Sequence, residues 1–254
     1  MRVGFVEWPE DLETGNQAWD RIADQINDAR PDFLITNELP FGSWIASQPT
    51  FDPALAQNSI DAHARGIDAL AALGIPAILS SVPVPAAGRL ANEAIVIENG
   101  IARPIHRKHY FPQQPGWYEA SWYVAGGNGF IAATAAGLSV GVMLCTDAMF
   151  NEHARGYGHQ EATLIAIPRA TGTATGNWLT AGKMAAIVSG SYVVSSNRSG
   201  RAHDGILFGG SGFAFAPDGE LLATTDAANP LRLVEIDPQR SVRQRKEYPC
   251  YVRG

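Results

Sequence analysis

An apolar run of strand length, Leu138 to Leu144, stops on Cys145 and leads almost at once into a helix-like pattern that reaches Arg155. A strand that feeds directly into a helix is the basic unit of an α/β fold. Asp147 reads as the helix N-cap, with Glu152 in the early helix. Cys145 is therefore expected at the carboxyl end of a buried strand, just before a helix N-terminus. Free N–H groups and the helix dipole favour a thiolate there. The alternative is an inert core cysteine, because cysteine is among the most buried residue types.

The same alternation recurs along the chain. Strands are predicted at 2–8, 32–40, 75–82, 163–168 and 192–196. Helices are predicted at 17–29, where Ile22, Ala23, Ile26 and Ala29 share a face, at 53–73 before Gly74, after Cys145 to about Gly156, and at 177–189. Hairpins interrupt this pattern. One joins 92–98 to 101–107 through Asn99-Gly100, a second pairs 129–134 with 138–145 around Gly137, and a third joins 211–216 to 221–225 through Pro217-Asp218-Gly219, ahead of a last strand at 231–236. Mixed parallel and hairpin strands predict an α/β fold of two mixed sheets with helices on their outer faces. No repeat, low-complexity stretch or linker divides residues 1–254, so one domain is expected.

Composition excludes several classes of partner. The net charge of −6 argues against a nucleic-acid or anionic-membrane binder. No apolar run approaches membrane-spanning length, and the segment from Met1 to Trp8 reads as a first strand, so a cytoplasmic setting is expected. Two cysteines, Cys145 and Cys250, cannot build a disulfide framework, and Cys250 reads as an ordinary tail residue.

Three residues sit at carboxyl ends of predicted strands, where α/β folds assemble their sites: Glu38, Lys108 and Cys145. Singly, each is a strand-end charge or a core cysteine; together they form a candidate site. The histidines predict no metal site. His106 and His109 are an odd number of residues apart and would point to opposite faces of an unbroken strand, and His153 and His159 lack ligand-pair spacing. The loop 170–176 lacks the Lys and Ser/Thr of a phosphate-binding loop. No cofactor is expected.

The ordered set Asn37-Glu38-Leu39-Pro40, Arg107-Lys108-His109-Tyr110, Glu119 with Tyr123 and Gly126, and Cys145-Thr146-Asp147 with Phe150, Glu152 and Ala154-Arg155 resembles the nitrilase superfamily of carbon–nitrogen hydrolases. The segment Ser195 to Gly200, Gly210-Ser211 and Pro217 to Glu220 extend the resemblance over nearly the whole chain. It implies an α-β-β-α sandwich that associates as a homodimer or larger assembly. It also implies a Glu–Lys–Cys triad of Glu38, Lys108 and Cys145, with Glu119 as an additional glutamate. The sequence departs from the pattern at Met149 and Asn151, where the family often has Arg and Pro.

The chemistry so implied is hydrolysis of a small non-peptide amide through a thioester. Glu38 would move protons, and Lys108 with the Thr146 N–H would hold the oxyanion. Glu119 would orient Lys108 or the water, or stand as a surface carboxylate. Trp117, Tyr118, Trp122 and Tyr123 wall a substrate pocket or serve core and subunit contacts. Arg169, followed by Ala170 at the implied pocket edge, binds a substrate carboxylate or makes a structural ion pair. Nitrile hydrolysis and acyl transfer would use the same triad, and a catalytically silent binding subunit is the reading from another class.

Overall fold

The computed structural model describes residues 1–252. The chain opens with β1 (Arg2–Val6), α1 (Gln17–Ala29), β2 (Phe33–Ile35) and α2 (Pro53–Ala72). The long hairpin β3 (Ala77–Ala86) and β4 (Arg89–Glu98) follows, then β5 (Ile101–Arg107) and the single turn α3 (Glu119–Trp122). The middle holds β6 (Ala133–Ala135), β7 (Leu138–Val142), α4 (Asn151–His159), β8 (Leu164–Arg169), α5 (Gly176–Ser189) and β9 (Tyr192–Asn197). A small hairpin of β10 (Ser199–Arg201) and β11 (Leu207–Gly209) precedes β12 (Phe213–Phe215), β13 (Leu221–Thr224), β14 (Leu231–Glu235) and α6 (Pro238–Gln244).

Two six-stranded sheets result, in the orders β14-β1-β2-β3-β4-β5 and β13-β12-β9-β8-β7-β6. Each has parallel pairs at its centre, β1-β2-β3 in one and β7-β8-β9 in the other, and antiparallel pairs outside them. Alternation along the strands builds the layers. Leu164 and Ala166 of β8 face the first sheet and pack with Val3, Phe5, Phe33 and Val96, whereas Ile165 and Ile167 face out and pack with Ala154, Tyr157 and Ala185 of the helices. Trp19, Ile22 and Ile26 of α1 and Leu70 of α2 cover the outer face of the first sheet through Ile78 and Ile95. The layers are therefore helix, sheet, sheet, helix, as the resemblance implies.

Local chemistry fixes the helix starts. Asn16 caps α1 by accepting from Trp19 N at 2.8 Å, and Asp52 caps α2 just before Pro53. Gly141 lets α4 approach β7, because a Cβ there would stand 2.6 Å from the Tyr157 ring. That approach brings the Tyr157 hydroxyl to donate to Val142 O at 2.8 Å.

Several expected boundaries are corrected. The strand expected over 32–40 ends at Ile35, and that over 138–145 ends at Val142, so Glu38 and Cys145 both lie beyond their strands. The α4 helix does not start at Asp147. A short 3-10 turn, Cys145–Met149, comes first, and Phe150 occupies the N-cap position. The β10–β11 hairpin and α6 are short elements of three to seven residues that periodicity does not reveal.

Candidate active site

Each candidate side chain hangs from a segment that has just left a sheet. Glu38 follows β2, and its own N–H donates to Arg169 O of the opposite sheet at 3.2 Å. The next residue, Leu39, turns the chain with φ +44° and donates its N–H to Ser81 Oγ at 2.8 Å. Lys108 follows β5; its N–H donates to Asn92 O and its carbonyl accepts from Gly126 N, both at 2.9 Å. Only glycine fits at 126, since a Cβ would stand 2.6 Å from Arg107 O. Glu119 opens α3. Cys145 has φ +49°, a left-handed conformation that a non-glycine residue adopts only when its surroundings impose it.

These segments bring three charged side chains into one buried cluster. Lys108 Nζ donates to Glu38 Oε1 at 2.7 Å and to Glu119 Oε2 at 2.5 Å. Asn92 Nδ2 donates to the same Glu38 Oε1 at 2.7 Å, while Glu38 Oε2 is buried with no partner. Burial alone would lower the Lys108 ammonium, but Glu119, Glu38 and Cys145 hold it well above its ordinary value. Burial pushes the Glu119 carboxyl up to about 7, against the pull of Lys108. Burial and then the Glu38 charge push the Cys145 thiol up, against the thiolate that a helix N-terminus would favour. The short 3-10 turn offers too little helix dipole to offset that desolvation.

A cavity of about 420 Å³ opens onto this cluster. Cys145, Thr146 and Glu119 form its chemical end, and Trp117, Trp178, Met149 and Ala170 stand among its walls. A separate hollow of about 550 Å³ on the far side of β5 is lined by Arg103, His106 and Arg107 and by none of Glu38, Lys108 and Cys145.

The sequence profile of the family described as carbon-nitrogen hydrolase matches residues 3–246. The chain belongs to the carbon–nitrogen hydrolase family. Among curated proteins it is similar to N-carbamoylputrescine amidase of Arabidopsis thaliana, 24% identical over 92% of this chain and 86% of that one. Among solved structures it is similar to a carbon-nitrogen hydrolase from Helicobacter pylori G27, with a TM-score of 0.86 at 22% identity over 99% of this chain and 94% of that one. It is also similar to a glutamate mutant of the amidase from Nesterenkonia sp. AN1 that shows covalent addition of the acetamide moiety of fluoroacetamide at the active site cysteine, with a TM-score of 0.79 at 19% identity over 97% and 94% of the two chains. The two structural likenesses support the fold.

Not every expected residue of this hydrolase reaches the cavity. Arg169 is fully buried behind the wall, and its guanidinium is spent on the protein: Nε donates to Ser195 Oγ at 2.7 Å, Nη2 to Ser211 O at 2.8 Å and Nη1 to Thr171 Oγ1 at 3.3 Å. Its place is thus a correction to the carboxylate-binding expectation, because no nitrogen is left facing a ligand. Tyr118 also stays outside the lining; its N–H donates to Ala46 O at 2.7 Å. Trp122 and Tyr123 are fully buried in the core between Leu39 and Leu90.

Asp147 and the histidines correct a third expectation. Because β5 ends at Arg107, His109 escapes strand alternation, and the His106 and His109 rings stack with centroids 5.4 Å apart. The donor atoms of His106, His109 and Asp147 lie within 4.8 Å of one another. The Asp147 carboxylate is nevertheless saturated by protein: Oδ1 accepts from His109 N and Tyr110 N at 3.1 and 3.0 Å, and Oδ2 accepts from Leu144 N at 3.2 Å and lies 3.0 Å from His106 Nε2. The group therefore clasps the Lys108 segment to the Cys145 turn. Asn92 escaped the sequence reading. The available signal was an amide side chain between apolar neighbours Leu90, Ala91 and Ala94 of β4, which when buried must find a partner.

Proposed function

We propose that this carbon–nitrogen hydrolase cleaves the C–N bond of a small amide by acyl transfer to Cys145. The observation that carries the reading is the unpartnered, buried Glu38 Oε2, held near the Cys145 thiol while Glu38 Oε1 is tied to Lys108 and Asn92. An unpaired acceptor in that place is a proton acceptor in waiting.

Cys145 Sγ attacks the amide carbonyl as its proton passes to Glu38. The Lys108 ammonium and the Thr146 N–H hold the negative oxygen that forms, and one such donor typically contributes about 3 kcal/mol. The C–N bond then breaks, and Glu38 returns the proton to the departing ammonia or amine. Water attacks the thioester, giving a proton to Glu38 and releasing the carboxylic acid. Glu38 finally reprotonates Cys145. Glu119, bonded to Lys108, positions the ammonium. The amidase names of the relatives favour amides over nitriles.

The whole chain is proposed to act as one domain, since the family match spans almost all of it. A homodimer or larger assembly is supported by exposed Met184, Tyr248 and Tyr251, and light scattering after gel filtration tests it. No helix among the described residues is long and apolar enough to cross a membrane. A cytoplasmic setting agrees with the free state of Cys145 and Cys250.

Intact-mass spectrometry after incubation with amides, carbamoyl compounds and nitriles tests the chemistry, with ammonia measured in parallel. An acyl mass on Cys145, absent in Cys145→Ala, is the expected result. Neither adduct nor ammonia across the panel, even with rapid quenching, would sink the reading and favour a silent binding subunit.

A further inference from the structure

The cavity beside Cys145 has an unusual charge balance for a site built around ions. Among the described residues its lining contains two ionisable groups, Cys145 and Glu119. Both belong to the chemical end, and Glu119 is already paired with Lys108 at 2.5 Å. The walls away from the thiol are neutral: the rings of Trp117 and Trp178, the Met149 thioether, and the uncharged polar groups of Asn177 and Thr171.

A second buried cation, behind the walls rather than at the chemical end, reinforces this. The Arg169 carbon Cζ stands 5.5 Å from the centre of the Trp178 ring and 4.9 Å from that of Phe213. Its positive charge therefore already engages the Trp178 ring and opposes a second cation there. The same guanidinium is fully buried outside the lining, and each of its nitrogens already bonds to Ser195, Ser211 or Thr171. Trp117 is likewise held by protein, packed on Trp44 and Phe208 at centroid distances of 5.9 and 5.4 Å.

We infer that this cavity selects amides whose acyl chain is uncharged and largely apolar, and that it rejects amides carrying an ammonium or a carboxylate at the far end. A charged end would leave water and find no counter-ion on the walls. The inference rests on the hydrolase reading and narrows its substrate class.

Three primary amides of matched length separate the possibilities: pentanamide, 5-aminopentanamide and 4-carbamoylbutanoate. Ammonia release should give pentanamide a kcat/KM at least about tenfold above both charged analogues, the scale of an uncompensated charge at a partly solvated wall. Equal or better turnover of either charged amide overturns the inference while leaving the hydrolase intact. Met149 is 40% exposed, so Met149→Glu should fold and place a carboxylate on the wall. The variant should shift the kcat/KM ratio toward 5-aminopentanamide and away from 4-carbamoylbutanoate; an unchanged ratio counts against the assigned wall. Absence of turnover with all three, and of any Cys145 adduct, strikes the hydrolase reading first and carries this inference down with it. An adduct formed without selectivity strikes this inference alone.

Discussion

Two buried charge clusters grip the same five residues, 106–110, from opposite sides, and they differ in one respect. Around Asp147 every carboxylate oxygen has two partners within 3.2 Å. Around Lys108 one oxygen, Glu38 Oε2, has none. The Asp147 cluster holds three backbone N–H groups and the His106 ring. The Lys108 cluster sets one cation between two carboxylates and beside a thiol, with Glu119 and Cys145 both displaced upward by burial. A saturated cluster fixes geometry; the unsaturated one is the cluster proposed to move protons. Lys108 can be aimed well because its flanks are tied down on the other side.

The largest expected effect breaks the second cluster. Glu38→Gln keeps shape but removes the proposed base, and should lower kcat for a good amide by about 10²–10⁴-fold, read from steady-state ammonia release. If Asp147→Asn costs more activity than Glu38→Gln in proteins of equal folded fraction, the division of labour is reversed. Next comes the clasp. Asp147→Ala leaves the N–H groups of His109, Tyr110 and Leu144 without their acceptor and should destabilise the fold by about 3–5 kcal/mol, measured as a urea midpoint shift.

A smaller effect sharpens the contrast through pH. The Glu119 carboxyl rises from 4.5 to about 7 on folding, so the native state binds this proton more tightly than the unfolded chain. Its contribution to stability is complete below 4.5 and is lost as pH rises through about 7. Urea unfolding across that window should show stability falling with pH, and Glu119→Gln should flatten the slope. An unaltered slope would remove Glu119 as its source. The smallest effect concerns Tyr118. Its bonds are backbone ones, from its N–H to Ala46 O and from Ser121 N to its carbonyl, so Tyr118→Phe should leave KM within about twofold of the parent, as for substitutions away from a cleft. A larger rise would return the ring to the substrate site.

The sequence made the sheets and the outer helices legible because their signals are local: apolar runs and an Asn-Gly turn; Glu38, Lys108 and Cys145 were joined as a triad only through the family resemblance. Its misses have a common physical origin. Arg169 follows an apolar strand in sequence, but its side chain turns behind the wall because Ser195 and Ser211, on other segments, accept its hydrogens. Asp147 looks like a helix cap because its most local bond, to Leu144 N, has capping geometry; its other partners lie on the segment at residues 106–110, far away in the chain. His109 broke strand alternation because β5 ends two residues earlier. Each failure lies where partners come from distant segments. Met149, where the sequence departs from the family pattern, proved to be a cavity wall.

The raised Cys145 thiol has a consequence for durability. Peroxide and other electrophiles attack thiolates, and a sulfur that rests as S–H on the cavity floor presents little of that form. In the proposed hydrolase, an upward-shifted Cys145 thiol would resist oxidation while the cavity stands empty.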